Sequence, residues 1–349
     1  MQTTRVETKE HEEVWRVSDP DTGLTGFIAI HSTRLGPAAG GLRMRPYASE
    51  AEALEDALRL SRGMTFKNAA ADLPLGGGKA VIIGDPARDK TPDLLRAMGR
   101  AVDGLKGRYW TAEDMGMTTQ DMAIIAEVTP YVAGRADAPH GSGDPSPVTA
   151  RGVFNAIRRA ARHRLGVENL NGLTVSVQGL GNVGWHLCAL LHGDGADLAV
   201  SDIDPTRVGH AVAEWSALAV APEEIHSIAA QIFAPCAIGG ILNERTIPEL
   251  AAEVVAGAAN NQLATPQDGD RLHQRGILYA PDFVANGGGI INVAAEILGI
   301  EDRETWVAQK LDALDRTMEA ILSAAEAENV SPNAIAERIV AERMARAAA

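Results

Sequence analysis

Residues 23–32, GLTGFIAIHS, place apolar side chains on the period of two that a strand requires. The stretch after it, LGPAAGGLRMRPYAS (35–49), is dense in Gly, Pro and small residues and reads as turns, with Gly40 and Gly41 permitting close backbone approach to a bound molecule. Ser49 with Glu52 makes a capping box opening a helix that runs past Leu60, with Leu54, Ala57, Leu58 and Ser61 at helical spacing. Met64 and Lys67 fall on related faces near its end. AVIIG (80–84) is a continuous apolar run, as in a strand buried on both faces. Thr91-Pro92 is an N-cap followed by a first-turn proline and predicts the helix DLLRAMGRAVDGL (93–105). A further strand, RYWTA (108–112), leads into Glu113 and Asp114.

From 134 to 147 the text changes to GRADAPHGSGDPSP, without apolar periodicity, and the domain hinge is expected there. Beyond it Ser146-Pro147 caps the helix VTARGVFNAIRRAARH, after which short apolar strands alternate with helices in the manner of a parallel sheet: LTVSVQG, LAVSD, IFAP, VVAG and ILYAP. Amphipathic runs from about 301 to the end read as helices packing back across the domains or against another subunit. The expected organisation is α/β, with residues 1–140 as the first domain. Residues 141–330 form a Rossmann domain with a cleft between the two, and 331–349 form a C-terminal helix on the first domain or a partner subunit.

Composition narrows the partners. With 32 Lys and Arg against 46 Asp and Glu the formal net charge is −14, which repels phosphate backbones and anionic lipid, so nucleic acid and membranes are not expected. The polar start MQTTRVETKEHEEVW lacks the apolar core of a signal peptide, and a cytoplasmic location is expected. Cys188 and Cys236 stand far apart in sequence with no Cys/His cluster, so neither a disulfide framework nor a metal site is supported.

After the strand LTVSVQ comes Gly179-Leu180-Gly181-Asn182-Val183-Gly184, then the helical run WHLCALLHGDG, then a strand ending in Asp202. Strand, glycine turn, helix and acid together are the context that a bare G-x-G-x-x-G lacks. The first glycine turns the chain, the second lets backbone N–H groups approach a pyrophosphate, and the third lets helix and strand pack closely. Asp202, with Ile203 beside it, stands about 20 residues beyond the glycines, where a carboxylate meets ribose hydroxyls and repels a 2′-phosphate. NAD is therefore favoured over NADP, and Asp204 is an alternative to Asp202.

Gly76-Gly77-Gly78-Lys79 looks like a phosphate loop, but Leu73 stands where that motif needs glycine and Ala80 where it needs Ser or Thr. The glycines are read as allowing close approach to a substrate while delivering Lys79 at the mouth of a strand; a plain turn with a solvated lysine is the alternative.

The segments GPAAGG, MTFKNAAADLPLGGGKAVIIGDP, YWTAEDMG, PSPVTA, QGLGNVG, APCAIGG, VAGAANNQL and ILYAPDFVANGGGIINVAAE resemble, in order and over nearly the whole chain, the leucine/phenylalanine/valine dehydrogenases of the glutamate dehydrogenase superfamily, closest to the leucine-type members. The resemblance implies reversible NAD-dependent deamination of an L-amino acid to a 2-oxo acid and ammonia by a homo-oligomer, with residues 1–140 as the substrate-binding and oligomerisation domain and residues 141–330 as the NAD-binding Rossmann domain. It implies that Lys67 binds the substrate carboxylate, Lys79 activates water, and Asp114 moves protons to and from the amino group. A buried lysine near a second cation has its ammonium form disfavoured, which suits the role of Lys79. Of Ala259, Asn260 and Asn261, the resemblance places one asparagine on the nicotinamide side and Asn261 beside the substrate. Thr149 and the Cys236-Ala237 loop look like cofactor contacts, with Cys236 a lining residue rather than a nucleophile. No metal is implied.

The positions matching the side-chain pocket are Ala39, Met64, Ala112, Ile290 and Val293, an apolar set that should reject an ionised side chain. Ala112 and Val293 are the leucine-type choice, whereas the small Ala39 leaves room for an aromatic substrate. Asn286-Gly287 stands where many relatives have Asn-Ala. Two readings from other classes stay open at this point: a catalytically silent NAD-binding regulator, and a hydroxy-acid dehydrogenase, for which no His/Arg pair is evident.

Overall fold

The computed structural model of the chain describes residues 1–135 and 141–347; residues 136–140 of the expected hinge lie outside the described residues. The chain forms two compact units. One comprises Met1–Pro145, Ile290–Ala308 and Glu342–Ala349; the other comprises Ser146–Gly289 and Gln309–Ala341.

The first unit is built on β1 (Gln2–Arg5), β2 (Glu13–Asp19), β3 (Leu24–Ser32), β4 (Ala38–Arg45), α1 (Glu50–Ala70), β5 (Gly76–Ile83), α2 (Pro92–Asp103), β6 (Tyr109–Glu113) and α3 (Thr119–Ala126). Its sheet runs β1-β2-β3-β5-β4-β6, antiparallel as far as the β3/β5 pair and parallel from β5 onward. Helices cover both faces, so Phe27, Ile28, Ala29 and Ile30 of β3 are all buried rather than buried on the period of two expected from the sequence. Ile28, Ile30, Leu42, Met44 and Ile82 pack against Leu94, Leu95 and Met98 of α2 and Met122 and Ile125 of α3. Phe27, Ala29 and Val81, pointing the other way, pack against Ala53 and Ala57 of α1.

Three local readings need correction. The stretch 35–49 is not a run of turns: Ala38–Arg45 is the strand β4, paired on both sides. Its glycines lower strand propensity, but the neighbouring backbones leave no room for larger residues. Likewise Gly76–Gly78 is the first half of β5 rather than a loop. A Cβ on Gly77 would stand 2.1 Å from the Thr65 nitrogen of α1, and one on Gly78 would stand 2.6 Å from the Tyr109 ring. Glycine in a strand interior marks such a close approach. The box at Ser49 is half formed, since Ser49 accepts from the Glu52 nitrogen but the Glu52 carboxylate reaches past it to the nitrogen of Ala48 at 2.8 Å. A complete box, unnoticed in the sequence, joins Thr118 and Asp121 at the start of α3.

The second unit holds α4 (Ser146–Leu165), β7 (Thr174–Gln178), α5 (Asn182–Gly193), β8 (Asp197–Ser201), α6 (Pro205–Trp215), β9 (Leu218–Ala219), β10 (Ile232–Pro235), β11 (Val254–Val255), α7 (Gln267–Gln274), β12 (Leu278–Tyr279) and α8 (Asp282–Ala285). The remaining helices, α9 (Gly288–Ile297), α10 (Arg303–Glu328) and α11 (Pro332–Arg346), contribute residues to both units. The sheet is wholly parallel in the order β12-β11-β10-β7-β8-β9. Counted from β7 this is the doubly wound order of dinucleotide-binding folds, whose ligand crevice opens at the carboxyl ends of the two central strands. Those strands are β7 and β10.

Among the described residues, no helix is long and apolar enough to cross a membrane.

Candidate active site

Successive side chains on a strand point to opposite faces, and parallel neighbours in register share a face. Register pairs Ala39 with Gly77, Leu42 with Ala80 and Gly41 with Ala112, so Ala39, Gly41, Arg43, Lys79 and Ala112 all look toward the α1 side of the first sheet. Lys79 is only 5% exposed there. Its ammonium contacts the carboxylate of Asp114, one residue beyond β6, and the same Asp114 oxygen accepts from Arg43 Nε at 3.3 Å. Arg43 is held in turn by Asp56 of α1, whose Oδ2 accepts from Arg43 Nη1 at 3.1 Å and from the Tyr47 hydroxyl at 2.7 Å.

Burial pushes Lys79 below the ordinary lysine range, with Arg43 acting in the same direction and Asp114 opposing. Burial alone would raise Asp114, but Lys79 and Arg43 together outweigh it and hold the carboxyl well below its usual range. The second cation expected near Lys79 is thus supplied by Arg43. Arg43 carries no signal of its own in the sequence, because Arg43 and Arg45 alternate with Leu42 and Met44, a pattern with meaning only once the segment is a strand.

The glycines of β4 make this closeness possible. A Cβ on Gly41 would stand 2.7 Å from Asp114 Cβ and 3.2 Å from Lys79 Nζ, and one on Gly40 would meet the Gly78 carbonyl at 1.9 Å and Met64 Cγ at 3.0 Å. The Tyr109 hydroxyl donates to the Gly40 carbonyl at 3.0 Å, fixing that backbone from behind. Lys67 lies half-buried in the last turn of α1, whose terminal carbonyls at Ala69 and Ala70 accept from Arg343 at 2.7 Å each. Ile290 and Val293 follow on the first-unit part of α9, 7% and 6% exposed. On the opposite face of β6, burial together with Asp144, Asp121 and Asp114 pushes Glu113 up to about 7, and one of its buried oxygens has no hydrogen-bond partner.

In the second unit the glycine turn sits between β7 and α5. Gly179 adopts φ +98°, and its nitrogen donates to Ser201 at 2.7 Å. A Cβ on Gly184 would stand 2.0 Å from the Gly179 carbonyl, whereas one on Gly181 would meet nothing nearer than Arg207 Nη1 at 3.8 Å. The third glycine is therefore needed for packing, while the second leaves open space above the amino end of α5, where helix N–H groups favour an anion. Asp202 accepts from the Leu180 nitrogen at 2.6 Å and the Asp204 nitrogen at 2.8 Å, which ties the turn to the end of β8. Asp204 itself caps α6 through Thr206 at 2.9 Å. Ile203 is 92% exposed beside them, and Asn182 is exposed at the start of α5.

Cys236 and Ala237 follow β10 across the crevice from Gly179, with Ala237 Cβ 2.8 Å from where a Gly179 Cβ would stand. Burial pushes the Cys236 thiol up to about 12 and Cys188 higher still, which leaves neither as a thiolate. Thr149 is half-buried on α4. Asn261 adopts φ +51°, and the Ala259–Asn261 turn is held from below by two residues not foreseen in the sequence. Gln262 Nε2 donates to the carbonyls of Gly257 and Ala259 at 2.9 and 3.0 Å, and Asn286 Nδ2 donates to Asn260 Oδ1 at 3.2 Å. Gly287 follows Asn286; a Cβ there would meet the flexible Leu314 Cδ2 at 2.9 Å, so this departure leaves the entry to α9 undisturbed. Among the described residues no group of three or more His, Cys, Asp or Glu could hold a metal ion.

Residues 11–131 match the Glu/Leu/Phe/Val dehydrogenase dimerisation domain, and residues 141–208 and 206–349 match the Glutamate/Leucine/Phenylalanine/Valine dehydrogenase domain. The chain belongs to this dehydrogenase family. Within it, the leucine dehydrogenase of Geobacillus stearothermophilus is 50% identical over 97% of this chain and 92% of its own length. The L-tryptophan dehydrogenase of Nostoc punctiforme has a crystal structure that matches with a TM-score of 0.80 at 44% identity, covering 97% of each chain. The hetero-hexameric glutamate dehydrogenase of Thermus thermophilus matches with a TM-score of 0.82 at 25% identity, over 97% of this chain and 89% of that one. The family shares its two-domain frame across these different amino acids, so side-chain preference has to be sought in the pocket residues.

Proposed function

We propose that this dehydrogenase catalyses the reversible NAD-dependent oxidative deamination of L-leucine, and of other branched-chain amino acids, to the 2-oxo acid and ammonia. The observation that carries the reading is the buried Lys79–Asp114 pair, flanked by Arg43 and by Gly41 of β4, where even a Cβ would crowd Asp114 and Lys79. A lysine whose ammonium is disfavoured by burial can take a proton from water, and a carboxylate in contact with it can pass that proton on. Lys67 binds the substrate carboxylate, Lys79 activates the water that attacks the imine, Asp114 exchanges protons with the amino group, and Asn261 contacts that group. The net change is amino acid, NAD⁺ and water to 2-oxo acid, ammonia, NADH and a proton.

The residues present fit a dinucleotide. The space above Gly181 admits a pyrophosphate at the start of α5, and the Asp202 carboxylate sits at the end of β8 where ribose hydroxyls are bound. Bound there, the nicotinamide supplies the hydride acceptor. Thr149, Ala259 and Asn260 serve its ring side, and Asp202 with Ile203 serves the adenosine side, favouring NAD. Self-association through residues 11–131, which match a dimerisation domain, and a cytoplasmic location complete the proposal.

Leucine is preferred over glutamate because Ala39, Ala112, Ile290 and Val293 are buried apolar residues that offer a distal carboxylate no partner. Ala39, fully buried and small, favours a second reading with an aromatic substrate. A panel of kcat/KM values for leucine, valine, isoleucine, phenylalanine, tryptophan and glutamate, each with NAD and NADP, tests both readings. Leucine with NAD is expected to lead. Glutamate as the best substrate, or a preference for NADP, would overturn the proposal.

A further inference from the structure

Helix α9 carries Ile290 and Val293 and, about one turn further on, Glu296. A single oxygen of that carboxylate accepts three hydrogen bonds: from the Gly134 nitrogen at 2.8 Å, the Ser142 nitrogen at 2.9 Å and the Ser142 hydroxyl at 2.7 Å. Asn292, on the same helix, donates to the Ser142 carbonyl at 3.0 Å, and Arg303 donates to the Gly141 carbonyl at 2.9 Å. Gly134 ends a segment stitched to β6, in which the Thr111 nitrogen donates to Tyr131 at 3.0 Å and the Ala133 nitrogen donates to Thr111 at 2.8 Å. A Cβ on Gly134 would stand 3.5 Å from the Glu113 nitrogen and 4.0 Å from Ala112 Cβ.

Glu296 therefore links the helix that bears Ile290 and Val293 to the strand that bears Ala112, with Gly134 as the intermediate. Charge-assisted bonds to backbone N–H groups are short, directional and stronger than neutral ones, so the link holds the helix at a defined distance and rotation. We propose that Glu296 is a positioning residue that sets the width of the amino acid side-chain pocket, and through it the preference among hydrophobic substrates. The inference rests on the reading of Ala112, Ile290 and Val293 as pocket wall.

The test is kcat/KM for leucine, valine and phenylalanine in the full-length enzyme and in Glu296→Ala, Glu296→Gln, Ser142→Ala and Val293→Ala, each first shown to melt cooperatively. Glu296→Ala is expected to shift the phenylalanine-to-leucine ratio by about tenfold toward the larger substrate, a change of the size one or two methylenes command. The shift should appear in KM rather than kcat and leave KM for NAD unchanged. Glu296→Gln keeps an acceptor oxygen without the charge and should shift the ratio less, and Ser142→Ala, which removes one of the three donors, less again. A merely structural role would lower the melting temperature and the active fraction equally for every substrate. An unchanged ratio in the Glu296 and Ser142 variants while Val293→Ala changes it would overturn the proposal alone. If Val293→Ala leaves the ratio unchanged as well, the pocket reading fails and takes the proposal with it. Should Glu296→Ala not fold, Glu296→Gln and Ser142→Ala decide the question by the same ratio.

Discussion

Lys79, Asp114 and Arg43 in the first unit and the turn Gly179–Gly184 with Asp202 in the second are assembled by different physics. The first is a knot of buried charge, in which each group shifts the ionisation of the next and a strand of glycines keeps the knot tight. The second is made mostly of backbone, where a positive φ, a helix start and the absence of side-chain volume do the work. A charge knot is broken by removing one ion and tolerates little else; a backbone site is indifferent to neighbouring charge and broken by a single methyl group. The two regions should fail separately and in distinguishable ways.

The largest expected effect is on the first. Lys79→Met keeps most of the side-chain volume and leaves Asp114 paired with Arg43, so the fold should survive. Loss of a positioned acid-base group lowers kcat by about 10²–10⁴, while NAD affinity, measured by fluorescence titration, should match that of the parent enzyme. Retention of kcat within about tenfold would remove Lys79 from the chemistry. Loss of NAD binding together with kcat would show that the two regions are not independent.

The second region is sharpened by a pair of methyl groups. A Cβ on Gly184 collides with the Gly179 carbonyl at 2.0 Å, so Gly184→Ala should cost stability as well as NAD affinity, at the about 1–3 kcal/mol typical of overpacking. Gly181→Ala finds its nearest neighbour 3.8 Å away and should melt like the parent. Its KM for NAD should nevertheless rise by about tenfold, because about 1.4 kcal/mol of binding is lost when a methyl group stands where the pyrophosphate must approach. Normal NAD affinity in Gly181→Ala would displace the cofactor from this turn.

The same contrast explains what could be read from the chain in advance. Strand, glycine turn, helix and acid form a local motif, and β7, α5 and β8 lie within a few residues of the expected positions. In the first unit Lys67, Lys79 and Asp114 stand out in the sequence only by resemblance, and their surroundings do not stand out at all. Arg43 reaches Asp114 through register between β4 and β6, a long-range property that no window of sequence contains, and Asp56 of α1, with Tyr47, holds Arg43 there. Because glycine disfavours strands, Gly40 and Gly41 read in the sequence as turn and Gly76–Gly78 as a close approach ahead of the strand; the Thr65 backbone and the Tyr109 ring that require Gly77 and Gly78 come from α1 and β6. Glu296 was invisible for the same reason, since its partners Gly134 and Ser142 precede it by more than 150 residues.

The smallest expected effect concerns acid. Beneath α1, His31 Nδ1 bonds the Thr65 hydroxyl at 2.8 Å and its ring stands 4.9 Å from that of His11, edge to face. Burial, reinforced by His11 and Arg62 and opposed by Glu12, pushes His31 down from 6.5 to about 4. A folded value below the unfolded one contributes stability that is present above pH 6.5 and lost as pH falls through about 4. Glu113 works the other way: raised from 4.5 to about 7, its contribution is present below pH 4.5 and lost as pH rises through 7. Between pH 6.5 and 4.5 the two oppose each other, while Asp114 titrates below that window. A melting curve of the parent alone cannot separate them, but the difference between parent and His31→Asn can, because Glu113 is common to both. With part of the ring in reach of solvent, His31 should account for on the order of 1 kcal/mol of the stability lost over that range. His31→Asn should therefore lose less stability on acidification than the parent. Equal losses would mean that the His31 imidazole is not held neutral by the fold, and that acid acts on the first unit through other groups.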